Sequence, residues 1–255
     1  MPLWVRNMLA IGIILILGLA FYYLFVNPYS YRWKPCYGMK GYGVCLPNNY
    51  QIHGIDVSHY QGRIDWKALS ATQQDNKFPL RFIFVKATEG GDLVDETFEE
   101  NFQTAKDYGF IRGSYHYFIP TSDARKQAQF FINHVKLQSG DLPPVLDVEV
   151  SPKRKEQQQF KQQVKTWLDV VEAYYGVTPI LYASYKFKEK YLNDTIFDRY
   201  PYWIAHYYVD SINYQGNWSF WQHTDAGTVP GIKEQVDLNV FKGNIEQLLE
   251  MTIDH

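Results

Sequence analysis

Two carboxylates, Asp147 and Glu149, stand one residue apart in the segment PPVLDVEV at positions 143–150. The run has enough Val and Leu for a buried strand. Strand side chains alternate faces, so both acids point one way while Leu146, Val148 and Val150 point the other. Unpaired buried charge is costly, so such a pair is either neutralised by bases or held at a strand mouth for chemistry. Two more acids occur in comparable settings, Asp56 in HGIDVS and Asp237 in VDLNVF. Facing bases are too few for four ion pairs. Like charges held close raise the pKa of at least one member, which keeps its proton. A protonated Glu beside ionised Asp residues is the arrangement for general-acid cleavage of a glycosidic bond.

To bring these acids together the chain needs parallel strands with a common end. Eight candidates follow Asn49: residues 53–58, 82–90, 112–118, 143–149, 178–184, 200–207, 219–224 and 236–241. The first four gaps hold helical stretches, among them DETFEENFQTAKDYG and KEQQQFKQQVKTWLDVVEAYYG, the second stopped by Gly176. The fifth gap has room for a short helix in FKEKYLNDTIFDRY, whereas the last two are too short for a packed crossover helix. Strand–helix alternation that closes with bare strands predicts a TIM-like barrel over 51–255, smaller than usual because its late helices are missing. The alternative, a doubly wound open sheet, calls for a phosphate-binding Gly-rich turn after strand one, and DVSHYQGRIDW is not one. In a barrel the C-terminal strand ends carry the site. Asp56, Lys86, Glu89, His116, Tyr117, Asp147, Glu149, Tyr182, Trp203, His206, Trp221, His223, Asp237 and Asn239 lie mostly there.

A metal hydrolase is the competing chemistry, with His116, His206 and His223 as a facial set beside Asp56 or Asp147. No H-x-H or H-E-x-x-H spacing fixes these histidines, and the reading calls for neither metal nor cofactor. A net charge of −2 gives no nucleic-acid signal, while 21 Tyr in 255 residues suits a groove that stacks rings on sugar faces.

Ahead of the barrel, MLAIGIILILGLAFYYLFV at 8–26 carries no charge and is long enough to cross a bilayer as a helix. Residues 1–27 therefore read as a membrane anchor or a signal segment. Gly18-Leu-Ala20 offers a cleavage site, but the aromatic continuation suits an uncleaved anchor better. Cys36 and Cys45, flanking a Gly-rich loop in a short tether at 28–50, read as a disulfide in an oxidising compartment. The barrel is then expected on the periplasmic or extracellular side of a bacterial membrane, or secreted.

The fragments GIDVSHYQGRIDW, FVKATEG, GSYHYF, LDVE, LYAS, WQHT and VDLNVF, in that order, resemble the glycoside hydrolase family 25 muramidases, the Chalaropsis-type lysozymes. The likeness covers residue 52 to about 245. It implies a (β/α)5(β)3 barrel that cleaves the β-1,4 bond after N-acetylmuramic acid in peptidoglycan. Carried over by position, it makes Glu149 the general acid and Asp147 the partner that stabilises positive charge or orients the N-acetyl group. Asp56 and Asp237 line the cleft, Tyr117, Tyr182, Trp203 and Trp221 serve as sugar platforms, and Gln222 binds substrate. Partners are then peptidoglycan glycan strands and, through the N-terminal helix, a membrane, with the protein a monomer. Two departures stand out: His223 replaces an aromatic found in many relatives, and no wall-binding repeats follow the domain. A non-catalytic glycan-binding barrel is the alternative function.

Overall fold

The computed structural model describes residues 2–26, 36 and 39–254. It forms two compact units, residues 1–37 and 38–255. The first contains helix α1, Leu3–Phe21, continued as a π-helical turn over Tyr22–Val26. It starts five residues ahead of the uncharged run, because the amides of Val5 and Arg6 close the first turn on the carbonyl of Pro2. None of its side chains is buried, and beyond Arg6 and Asn7 it is apolar on every face, long enough to be a candidate membrane span or signal segment.

The second unit opens with a hairpin, β1 Met39–Gly41 and β2 Val44–Leu46. Its two-residue turn has Tyr42 at φ 52 and Gly43 at φ 78, the left-handed pair that matches strand twist. The barrel strands are β3 Ile52–Val57, β4 Leu80–Glu89, β6 Ile111–Tyr117, β7 Val145–Asp147, β8 Ile180–Ser184, β9 Tyr202–Ala205, β10 Trp218–Gly227 and β11 Val236–Phe241, with β5 Leu93–Val94 folded back on β4. Helices α2 Trp66–Ser70, α3 Phe98–Asp107, α4 Ala124–His134, α5 Gln157–Tyr175 and α6 Tyr185–Tyr191 follow the first five barrel strands, and α7 Ile245–Glu250 follows the last. The sheet closes where β3 pairs with both β4 and β11. All eight expected strands are present, and the architecture is (β/α)5(β)3.

Link length sets strand direction at the end of the chain. Residues 206–217 span a crossover, and β10 runs parallel to β9. The shorter link 228–235 only turns the chain back, so β11 is antiparallel to both β10 and β3. The start of β11, rather than its end, therefore lies at the barrel mouth.

Inside the barrel the core is aromatic: Phe84 stacks on Trp203 at 4.4 Å, and Phe220 meets Phe82 and Phe84 at 5.1 and 5.2 Å. Gly54 and Gly113 make room, since a Cβ at either would lie 2.5 Å from the Phe82 or Phe84 ring. A second layer packs the strands' outer faces against the helices.

Among the described residues no crossover helix covers the outer faces of the last strands, and residues 39–50 take that place. Leu46 is buried, Tyr42 donates to the Phe78 carbonyl at 2.6 Å, and Thr228 N–H donates to the Tyr42 carbonyl at 2.8 Å. Tyr50 meets Trp218 and Trp221, and Phe78 meets His53. Residues 39–50 are thus a folded part of the barrel unit, unlike the loose tether expected from their glycines. Cys36 and Cys45 are both disulfide-bonded. The rest of the expected tether, 28–35 and 37–38, lies outside the described residues. A chain starting at Gln51 is expected to melt below one starting at Cys36 by roughly 5 °C or more, because Leu46 and Tyr50 no longer cover the wall. Paired thermal melts check this, and equal Tm values would refute the covering role.

Candidate active site

The cleft opens at the mouth where β3, β4, β6 and β7 end and β11 begins. Asp56, Asp147, Glu149 and Asp237 all line it. Asp56 and Asp237 are cross-strand partners on β3 and β11. One oxygen of Asp56 accepts from Asn239 Nδ2 at 2.7 Å and from Gln222 Nε2 at 2.9 Å. Burial pushes Asp56 up to about 6, against these two donors that favour its charged form. Asp237 is raised to about 9 by burial and then by the charge of Asp56, so both causes favour a proton on this side of the pair.

On the β7 side the ladder ends at Asp147, and one more bond, Val148 N–H to the Tyr182 carbonyl at 3.0 Å, carries the chain to Glu149. Asp147 is buried, and its Oδ1 has no hydrogen-bond partner. Glu149 is exposed to the cleft, and its Oε1 accepts from the Tyr182 hydroxyl at 3.1 Å. Burial, then the charge of Glu149, raises Asp147 well above the carboxylate range, while Glu149 rises through partial desolvation, opposed by Tyr182 and Lys86. The sequence places the retained proton on Glu149. In the unliganded cleft burial weighs more on Asp147, because Glu149 stands one step nearer solvent and has a donor.

The tyrosines join the two pairs of acids. Gln222 Oε1 accepts from Tyr182 at 2.7 Å and from Tyr207 at 2.6 Å, while its amide holds Asp56. Tyr182 has one hydroxyl proton and two acceptors, Gln222 and Glu149, so its bond follows the charge on Glu149. Lys86 donates to Glu89 at 2.6 Å and lies 5.1 Å from the centre of the Tyr117 ring. A cleft with four carboxylates, raised pKa values and aromatic walls is built to move a proton onto a leaving oxygen and to face positive charge.

The family model for glycosyl hydrolases family 25 matches residues 55–232. This chain belongs to glycosyl hydrolases family 25. The match takes in Asp56, Asp147 and Glu149 and stops short of Asp237. YegX of Escherichia coli K12 is 42% identical over 225 residues, 88% of this chain and 80% of its own length. Lysozyme M1 of Streptomyces globisporus is 30% identical over 214 residues, covering 78% of this chain and 71% of that protein. The solved structure of a family 25 glycosyl hydrolase from Bacillus anthracis superposes with a TM-score of 0.72 at 31% identity, over 82% of this chain and 96% of that one.

Within the family 25 barrel the other expected residues divide. Tyr117, Tyr182, Trp203 and Gln222 line the cleft, although Trp203 is only 2% exposed and forms its floor, with its indole N–H on Asn239 at 2.8 Å. Trp221 does not reach the cleft. It is fully buried on the outer side of β10, donating to the His206 carbonyl at 2.8 Å and packed edge-on to Tyr50. The alternation in SFWQHT already carries this: with Gln222 facing in, Trp221 and His223 must face out.

The three histidines of the metal hypothesis do not converge. His116 stacks on Trp167 beneath the helices, held by Thr88 and Gln127; His206 stacks on Tyr185; buried His223 lies edge-on to Trp221. Among the described residues no three His, Cys, Asp or Glu side chains form a metal-holding group. Sequence reasoning missed Tyr115, which alternation with Tyr117 points into the cleft, and Tyr207, which alternation from Trp203 in the expected strand 200–207 puts on the same face although β9 ends at Ala205.

Proposed function

We propose that this family 25 glycosyl hydrolase is a muramidase that cleaves the β-1,4 bond between N-acetylmuramic acid and N-acetylglucosamine, with Glu149 as general acid and Asp147 assisting. The observation that carries the reading is the meeting of four carboxylates at the ends of β3 and β7 and the start of β11 in one cleft, with buried Asp147 presenting an oxygen that has no partner among the described residues. The likeness to Lysozyme M1 supports the substrate class.

The 2-acetamido N–H of the bound sugar supplies the donor that Asp147 Oδ1 lacks, which favours the ionised carboxylate. The charge on Asp147, together with the exclusion of water by the glycan, then holds the proton on Glu149. Glu149 passes it to the glycosidic oxygen as the C1–O bond breaks, and the acetamido oxygen closes on C1 with Asp147 against the developing positive charge. Water, deprotonated by Glu149, opens that intermediate. Each displacement comes from the face opposite the group that leaves, so two inversions give net retention.

Loss of turbidity from a peptidoglycan suspension tests the activity, and NMR of the first anomer tests the route. The β-anomer is expected first, and an α-anomer would replace this route by direct attack of water. Glycan binding without turnover would favour the non-catalytic alternative.

The apolar helix Leu3–Val26 supports a membrane-anchored enzyme with its barrel on the outer side, which matches a disulfide-bonded chain. Such an anchor confines hydrolysis to wall near the membrane. Protease added to spheroplasts is expected to digest the barrel; protection until lysis would place it in the cytoplasm, and release into the medium would make the helix a cleaved signal.

A further inference from the structure

Tyr60 is 74% exposed, more than any other large apolar side chain among the described residues, and it stands at the rim of the cleft. An aromatic ring in water is ordinarily mobile, but the turn that bears this one is tied down on every side. Tyr60 lies in the 3-10 turn His59–Gln61 directly after β3. Ser58 and Gln61 form a reciprocal capping box across it, and Gln61 Nε2 reaches the Gln235 carbonyl at 3.1 Å. Gly62, at φ 59, closes the turn by donating to the His59 carbonyl at 3.0 Å.

His59 is fixed in turn by Asp95, whose side chain is fully buried. Asp95 Oδ2 accepts from the His59 amide at 3.0 Å and from its Nδ1 at 2.8 Å, while Oδ1 accepts from the amide and hydroxyl of Thr97 at 3.0 and 2.7 Å. The His59 ring lies 4.1 Å from the Tyr60 ring at 36°, so one face of Tyr60 is backed. None of these groups takes part in the proton chemistry of the acids. Their common effect is to fix the backbone that bears the exposed ring and to back one of its faces.

We propose that Tyr60 is a preformed stacking platform for a pyranose ring of the glycan, held in place by His59 and Asp95, at a subsite away from the bond that is cut. The class of ligand rests on the muramidase reading. A sugar's apolar face buries the free face of the ring, and the prior ordering lowers the entropy cost of immobilising the side chain on binding. The barrel topology gives the position. Tyr60 follows β3 and Glu149 follows β7, three strand steps apart through β4 and β6. At about 4.8 Å per step that is on the order of 14 Å along the wall, more than one sugar away from the scissile bond. The platform therefore acts only on glycans long enough to reach it.

The test uses the full chain carrying Glu149→Gln, so that binding is measured without turnover. The probes are β-1,4-linked N-acetylglucosamine–N-acetylmuramic acid oligomers, a disaccharide and a hexasaccharide. Adding Tyr60→Ala is expected to weaken hexasaccharide binding about tenfold, with the loss confined to that length, while Tyr60→Phe keeps the affinity. His59→Ala is expected to give part of the same length-dependent loss, which a general structural fault would spread over both oligomers. Unchanged hexasaccharide affinity, or an equal loss on both lengths, would overturn the platform. If the unsubstituted protein leaves peptidoglycan intact yet the length-dependent loss is seen, the muramidase reading fails and the platform stands. No binding of the hexasaccharide at all would overturn both.

Discussion

Replacing Glu149 by Gln is expected to lower the rate of peptidoglycan cleavage about a thousandfold or more, with far-UV circular dichroism and Tm unchanged. The amide has the shape of the protonated acid and keeps an oxygen for the Tyr182 hydroxyl, now 3.1 Å from Glu149, but it has no acidic proton to give to the leaving sugar. Glu149 stands exposed to the cleft, so the exchange leaves no cavity and strands no buried partner. The loss should fall on kcat, since proton transfer belongs to the transition state and the neutral amide still fits the bound ground state. Activity within about tenfold of the unsubstituted enzyme, with the fold intact, would remove Glu149 from the role and point to the proton that burial assigns to Asp147.

Asp147→Asn is expected to be nearly as damaging, roughly a hundredfold or more in kcat, for a different reason: it removes the charge that faces the developing cation and keeps the proton on Glu149. Its signature is in the pH profile. With no negative neighbour, Glu149 loses its proton more readily, so the pKa at which activity is lost on the alkaline side falls. An unmoved profile with only a raised KM would show that the two acids are not coupled. The same substitution should stabilise the protein. Asp147 has a folded pKa well above its unfolded value, so below the unfolded value both states are protonated and the residue costs nothing. As pH rises past that value the unfolded chain releases a proton that the folded chain retains, and stability is lost. The variant escapes this loss, so its gain in Tm is expected to be absent near pH 3.5 and present at pH 7. Melts at the two pH values check the sign, and an equal or lower Tm at pH 7 would mean that Asp147 is ionised and compensated in the folded protein.

Much of this molecule is written locally in its chain. The eight strands, the helices after the first five, the bare strands at the end and the apolar N-terminal helix all follow from periods and gap lengths, because each depends on which way neighbouring side chains point along a few residues. The same rule put Asp147 and Glu149 on one side and, applied to SFWQHT, separates inward Gln222 from outward Trp221. Tertiary structure alone decided what depends on distant partners. Asp237 meets Asp56 only because a short link reverses β11 against β3, which brings the start of that strand to the mouth. Residues 39–50 fold onto the barrel because the last strands lack covering helices, a vacancy that no period in the segment itself announces. Tyr60 reaches the cleft from a short turn whose position comes from His59 on Asp95 rather than from any repeat. The balance between the two β7 acids turns on depth. A pattern says which face a carboxylate takes, but desolvation depends on everything packed around it, and that places the greater burden on Asp147 while leaving Glu149 within reach of a substrate.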